Sequence, residues 1–210
     1  MDSDYSPLVP DDELLKIGAT PPKERADAAR NREKILEAAA KLFEKYGVTR
    51  VSMDQVAVEA RVGKGTVFRR FGDKSGLAVA LLDDRERELQ QAILSGPPPL
   101  GPDAPADARL IAFVEAYAAF LDANVDLIHV SETASPGARY RIGSYQLWHR
   151  HVTILLAKAR PDLDADYLAH AILAPLSADL HKALDYPSER AAAGAVSLTR
   201  LVLTGVTSGP

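Results

Sequence analysis

Residues 52–77, SMDQVAVEARVGKGTVFRRFGDKSGL, permit little besides two short helices joined by a tight turn. Ser52 with Gln55 three residues on is a capping box, in which each side chain satisfies a backbone N–H of the other, and Val51 with Val56 is spaced as the hydrophobic staple across it. These signals predict a helix over about 53–59 that buries Val56 and Met53. After ARV a second helix is expected over about 63–71, stopped at Gly72, and Asp73 is placed to cap a further helix through LAVALLDDRERELQQAIL. Wound at about 100° per residue, positions 64–71 separate into two faces. Val67 and Phe71 fall together and, with Val62 in the turn, are expected to pack inward. Gly65, Thr66 and Arg69 point the opposite way, with Lys64, Phe68 and Arg70 on the flanks.

That outer face is small and basic, and the charge distribution isolates it. Residues 23–78 carry thirteen Lys/Arg against eight Asp/Glu, whereas 1–22 carry one against five and 79–210 carry eleven against sixteen, for a net charge of −4. A local basic footprint on an acidic chain suits nucleic acid, although cations near a helix C-terminus are also favoured by the helix dipole when merely solvated. Gly65 removes a side chain that would hold a helix away from a groove. Thr66 can reach a phosphate oxygen or a thymine methyl, Arg69 or Arg70 has the fork for guanine, and Lys74 is placed for phosphate. Two short helices, the second basic, make a helix-turn-helix, so double-stranded DNA is the expected partner.

Elsewhere the signals are helical. Ile35, Leu36, Ala39, Leu42 and Phe43 recur at three and four residues over 27–45, with Gly47 as the stop. The proline-rich SGPPPLGPDAPAD (95–107) reads as a linker or boundary. Beyond it helices are expected over about 108–123, 125–133, 139–160, 165–185 and 187–205, the last starting at Pro187. Strand-like alternation of useful length is missing, so the class is all-α with about nine helices. Residues 1–26 read as a disordered arm, 27–78 as the helix-turn-helix domain and 79–210 as a larger helical domain. Lys23, Arg25, Arg30 and Arg32 suit either a minor-groove arm or a solvated tail.

Residues 31–77, NREKILEAAAKLFEKYGVTRVSMDQVAVEARVGKGTVFRRFGDKSGL, closely resemble the DNA-binding domain of TetR-family (tetracycline-repressor-like) transcriptional regulators. The family pattern runs from an IL.AA..LF...G helix through VA..AGVS.GTLY.HF..K..L. In that family three N-terminal helices bind DNA, a fourth connects, and the remainder forms a ligand pocket and a dimer interface within a nine-helix architecture. The resemblance places Ser52, Lys64, Gly65, Thr66, Phe68, Arg69, Arg70 and Lys74 at DNA-contacting positions. Three residues depart from the pattern. Phe68 stands where Tyr is usual, Arg70 where His is frequent, and Arg61 where the turn usually has Gly; a positive φ there would cost an arginine about 1 kcal/mol.

In the larger domain Tyr117, Phe120, Tyr145, Trp148 and His149 concentrate aromatic surface with polar tips, a composition that suits either the pocket of a small-molecule effector or an ordinary core. No cofactor is expected. His149 and His151 point apart on a helix, and the chain has neither a cysteine nor an i, i+4 histidine pair, so no metal site is expected. The absence of cysteine also excludes disulfides and thiol redox chemistry. No nucleophile elbow, P-loop or dinucleotide fingerprint is present, which argues against an enzyme. The Ala- and Leu-rich segments DADYLAHAILAPLSADLHKALDY and PSERAAAGAVSLTRLVLTGV, the second with Gly194, suit helix-on-helix packing. In the family these two helices join a partner copy, so a homodimer through them is expected, with Pro175 kinking the first. The longest apolar run, LIAFVEAYAAFL, is too short for a membrane span, and residues 1–22 are too acidic for a signal peptide, which leaves the cytoplasm as the expected location. The resulting expectation is a ligand-responsive repressor on a palindromic operator. An activator or global regulator without a small-molecule switch is the first alternative, and a helical interaction or enzyme domain with an incidental basic patch is the second.

Overall fold

A computed structural model describes residues 22–184 and 187–205. Its regular structure there is entirely helical: α1 (Pro22–Tyr46), a 3-10 turn (Val48–Arg50), α2 (Met53–Glu59), α3 (Lys64–Phe71), α4 (Lys74–Ser95), α5 (Ala106–Glu132), α6 (Ala138–Arg141), α7 (Gly143–Ala159), α8 (Ala165–Leu173), α9 (Ala178–Leu184) and α10 (Ser188–Thr204). The all-α class is as expected, and the described residues hold ten α-helices against the expected nine or so. The first begins at Pro22, five residues before the expected start at 27, while residues 1–21 of the expected arm lie outside the described residues.

Two hydrophobic cores organise the helices. In the first, Ile35, Ala39 and Phe43 of α1 meet Val48 and Val51, Met53 and Val56 of α2, Val67 of α3 and Leu77 of α4. The second gathers Phe113, Val114, Tyr117 and Leu121 of α5 with Trp148 and Val152 of α7, Ile172 and Leu173 of α8 and Ala195 of α10. Helix α4 contributes to both, with Leu77 in the first and Leu82 and Ile93 in the second. Helix α5 is the central post, packed against α4, α7, α9 and α10.

Four expected helices have different bounds, each for a physical reason. The two helices expected over 108–133 are one, because no Pro or Gly interrupts them. Their junction survives as a kink at Asn124 (φ −131°, ψ 17°), where Asn124 Nδ2 donates to Phe120 O at 2.8 Å and Arg85 of α4 donates to Asn124 Oδ1. The helix expected over 139–160 is divided by extended Ile142, whose side chain packs against the second core. Pro175 does more than kink its segment, since α8 ends at Leu173 and α9 starts at Ala178. The 95–107 segment is a largely exposed turn anchored on the second core by Leu100 and Ala106: Arg109 donates to Ile93 O at 2.9 Å and Leu100 O at 3.3 Å, tying the loop to both flanking helices.

The break at Pro175 is held by a buried ion pair invisible to helical periodicity. Arg139 donates to the Leu173 and Leu176 carbonyls at 2.9 Å each and to Glu132, closing the end of α8. Glu132 in turn accepts from Ala178 N at 3.0 Å, at the start of α9, where the free N–H groups favour a negative charge.

Candidate nucleic-acid interface and effector region

The α2–α3 unit is built by local chemistry. Gln55 N donates to Ser52 Oγ at 3.2 Å and Ser52 N donates to Gln55 Oε1 at 2.8 Å, completing the capping box that starts α2. At the other end Val62 N donates to Ala57 O and Arg61 N to Val58 O, at 3.0 and 3.1 Å. This 6→1 and 5→2 pair is a Schellman closure, which requires a left-handed residue at its centre. Arg61 occupies that position with φ 54°. The turn therefore has the positive φ that the usual glycine would supply without strain. Helix α3 follows from Gly63 and stops at Gly72 (φ 73°), after which Asp73 caps α4 by accepting from Gly76 N at 3.0 Å. The same hydrogen bonds, from Ser75 first and then Gly76, hold the Asp73 carboxyl below the usual carboxylate range.

Helix α3 divides into the two faces expected from its sequence. Val67 is fully buried, with Phe71 and Val62 packed beside it. Lys64, Gly65, Phe68, Arg69 and Arg70 are exposed, Thr66 is half-buried, and Ser52 is exposed at the start of α2. A Cβ on Gly65 would meet nothing within 4 Å, so within the chain no packing requires glycine there. Phe68 keeps 39% of its surface exposed, with the Lys64 ammonium 5.6 Å from its ring centroid. Lys64 is paired with Asp54 of α2 at 2.7 Å. Arg69 and Arg70 have no hydrogen-bond or ion-pair partner among the described residues. Lys74 differs from the expected free phosphate ligand: its Nζ donates to Val48 O at 3.0 Å and Thr49 O at 2.9 Å. Two of the three ammonium protons thus pin the 3-10 turn, and one remains.

The five aromatic residues of the larger domain do not line one pocket, because the α7 and α8 packing distributes them over three places. Tyr117, Phe120 and Tyr145 border an enclosed cavity of about 10 Å³ between α4, α5 and α7, together with Glu86, Ser131 and Glu132. That space suits a single water. Burial pushes the Tyr117 hydroxyl and the Glu86 and Glu132 carboxyls upward from their ordinary values. Trp148 is a core residue, 1% exposed and within 5.8 Å of the Phe113 and Tyr117 ring centroids. His149 belongs to an open surface cleft, stacked on His170 of α8.

Residues 35–81 match the family profile described as "Bacterial regulatory proteins, tetR family". The segment from α1 to α4 thus carries the TetR-family pattern. An HTH-type transcriptional regulator of Staphylococcus aureus (strain bovine RF122 / ET3-1) is 49% identical over 69 residues, covering 33% of this chain and 36% of the relative. The chain thus spans little more than a third of the curated relative's length in that match. Over nearly whole chains the likeness is one of fold. A TetR-family transcriptional regulator structure from Syntrophomonas wolfei superposes with TM-score 0.60 at 17% identity, covering 86% of this chain and 98% of the other. FadR from Bacillus subtilis, solved in complex with stearoyl-CoA, gives TM-score 0.56 at 15% identity, covering 83% and 98%. The family and these relatives are transcriptional regulators, not enzymes. Among the described residues no helix is long and apolar enough to cross a membrane.

Within the TetR pattern, the Arg61 departure leaves the turn geometry intact and places its strain in one residue. Sequence reasoning missed the Arg139–Glu132 pair and the approach of His149, Asp166 and His170, whose carboxylate and imidazole atoms fall within 4.8 Å of one another. The local signal for the latter was Asp166 four residues before His170, on one helix face; its partner on α7 is brought in only by packing.

Proposed function

We propose that this chain is a ligand-responsive TetR-family repressor that binds a palindromic DNA operator as a homodimer in the cytoplasm. In this reading residues 27–78 form the DNA-binding domain and 79–210 the effector and dimerisation domain, joined through α4. Each α3 enters the major groove of one half-site, Arg69 or Arg70 reading guanine and Ser52, Lys64, Thr66 and the remaining Lys74 proton reaching phosphate, with Gly65 and Phe68 against the groove. The observation that carries the reading is the pair of exposed guanidinium groups at 69 and 70, unpartnered among the described residues, beside the open Gly65 face. The homodimer is supported by the exposed α8 and α10 surface. Tyr167 and Leu201 are 71% and 65% exposed, and a Cβ at Gly194 would meet nothing within 4 Å. An effector seated between α4, α5 and α7 would shift the equilibrium between half-site spacings only by its differential affinity for them. The stearoyl-CoA complex of the B. subtilis neighbour supports a larger domain able to take a ligand.

Selection from a random duplex library near physiological salt tests the proposal. Recovery of an inverted repeat is expected; recovery of no motif from folded, dimeric protein would overturn it. The cavity of only about 10 Å³ favours a second reading, a regulator without a small-molecule switch. Persistence of the operator complex across a broad ligand panel would select that reading.

A further inference from the structure

Three metal-ligating side chains converge away from the DNA-binding unit. His149 lies in α7, while Asp166 and His170 stand four residues apart on α8, which packs along α7. One ligand atom from each lies within 4.8 Å of the other two. His149 Nε2 is 3.7 Å from Asp166 Oδ1, and the imidazole centroids of His149 and His170 are 3.9 Å apart. A tetrahedral zinc site with Zn–N near 2.1 Å separates neighbouring donors by about 3.4 Å, so modest side-chain rotations close the set.

We propose that His149, Asp166 and His170 form a binding site for a divalent transition-metal ion of the zinc class. The donor set argues for that class. Two imidazoles and one carboxylate suit zinc, whereas calcium and magnesium prefer oxygen throughout. A second feature is the outer partner of His170, whose Nδ1 lies 2.7 Å from the Tyr145 hydroxyl. With Nδ1–H donating to that oxygen, the Nε2 lone pair faces outward, the arrangement by which metal-bound histidines are normally oriented. Tyr145 is itself fixed, only 5% exposed, with the Arg139 guanidinium 5.0 Å from its ring centroid.

The surrounding cleft, about 300 Å³ and bordered by Tyr140, Gln146 and Thr153, provides an entry path and leaves a fourth position for water or an exogenous donor. Arg150 on its rim opposes a cation, and the Asp166 carboxylate offsets that charge. His149 Nε2 now lies 3.2 Å from the Asp166 carbonyl; a metal taking Nε2 replaces that hydrogen bond, with the ring proton on Nδ1. The bound ion would clamp α7 to α8. This inference is independent of DNA binding and of any effector between α4 and α7.

Tag-free, chelator-stripped full-length protein titrated with zinc chloride by calorimetry tests the site, with cobalt(II) absorption reporting the ligand geometry. One ion per chain is expected, at micromolar affinity or tighter, with the visible bands of four-coordinate cobalt. His170→Ala is expected to weaken binding by about 100-fold or more, and Tyr145→Phe by roughly 10-fold. Asp166→Asn keeps the test valid should the histidine variant fail to fold, because the Asp166 side chain is 76% exposed; about 10-fold weaker binding is expected. His181→Ala, whose imidazole meets the Pro175 carbonyl elsewhere, is expected to bind as the parent does. Lack of binding above the chelated background, or binding that survives both His170→Ala and Asp166→Asn, would overturn the proposal.

Discussion

Arg61 shows how one residue can hold a turn against its own preference. At φ 54° it supplies the left-handed step between α2 and α3, and a side chain with a Cβ is strained there by about 1 kcal/mol relative to glycine. Arg61→Gly is therefore expected to raise stability by up to about 1 kcal/mol in a denaturant titration, reduced by whatever entropy glycine adds to the unfolded chain; a loss of stability would show that the arginine side chain contributes more than the strain costs. His151 acts through its proton. Its Nε2 is buried without a hydrogen-bond partner among the described residues, its ring meets Phe113 edge-on, and burial, followed by the charge of Arg109, depresses its pKa to about 4. The unfolded chain takes up this proton as pH falls through 6.5 while the folded chain resists, so stability is present above about 6.5 and lost progressively toward 4. His151→Phe is expected to flatten the stability profile between pH 7.5 and 4.5. Glu86 and Glu132, whose folded pKa values are raised above 4.5, contribute in the opposite sense, their stabilisation being complete below about 4.5 and lost as pH rises through their folded values. The difference between variant and parent isolates the histidine.

At the scale of the element, α3 and the α8–α9 junction illustrate opposite uses of arginine. Arg69 presents its guanidinium to solvent, and Arg69→Ala is expected to cost about 1–3 kcal/mol of operator binding and relax preference at one base position. Lys74→Ala is expected to weaken all sequences nearly equally and also to lower thermal stability, since the ammonium holds the Val48 and Thr49 carbonyls. A mobility-shift series on matched operators, with melting curves alongside, separates the two patterns. Arg139 is inward instead, spanning Glu132 and the carbonyls of Leu173 and Leu176. Arg139→Ala leaves the Glu132 carboxylate buried without its counter-charge and is expected to destabilise by about 3–5 kcal/mol. Chemical denaturation at neutral pH checks this, and an effect under about 1 kcal/mol would mean that the junction holds itself.

For the whole molecule, the decisive question is how two copies would present two α3 helices. Gly194 faces open space on α10, so Gly194→Glu creates no clash within a chain and improves local helix propensity by several tenths of a kcal/mol. In the proposed dimer the same change buries a charge, which is expected to cost about 2 kcal/mol or more and weaken association over about 30-fold. Sedimentation at several concentrations reads the outcome directly. A folded variant that remains as dimeric as the parent would move the interface away from this face of α10.

What was legible in the sequence was set by interactions between residues a few positions apart. The Ser52–Gln55 box, the stop at Gly72, the Asp73 cap and the inward Val67 and outward Arg69 of α3 follow from helical geometry and nearby backbone groups, so they could be read before any packing was known. The TetR pattern over the first core rests on these same short spacings. Tertiary structure alone decided the rest. It drew Lys74 onto the 3-10 turn, split the 165–185 segment around Pro175, dispersed the five aromatic residues, and set His149 beside Asp166 and His170. Each of these depends on how separate helices stack, and helical periodicity gives the face a side chain occupies without naming the helix that will cover it.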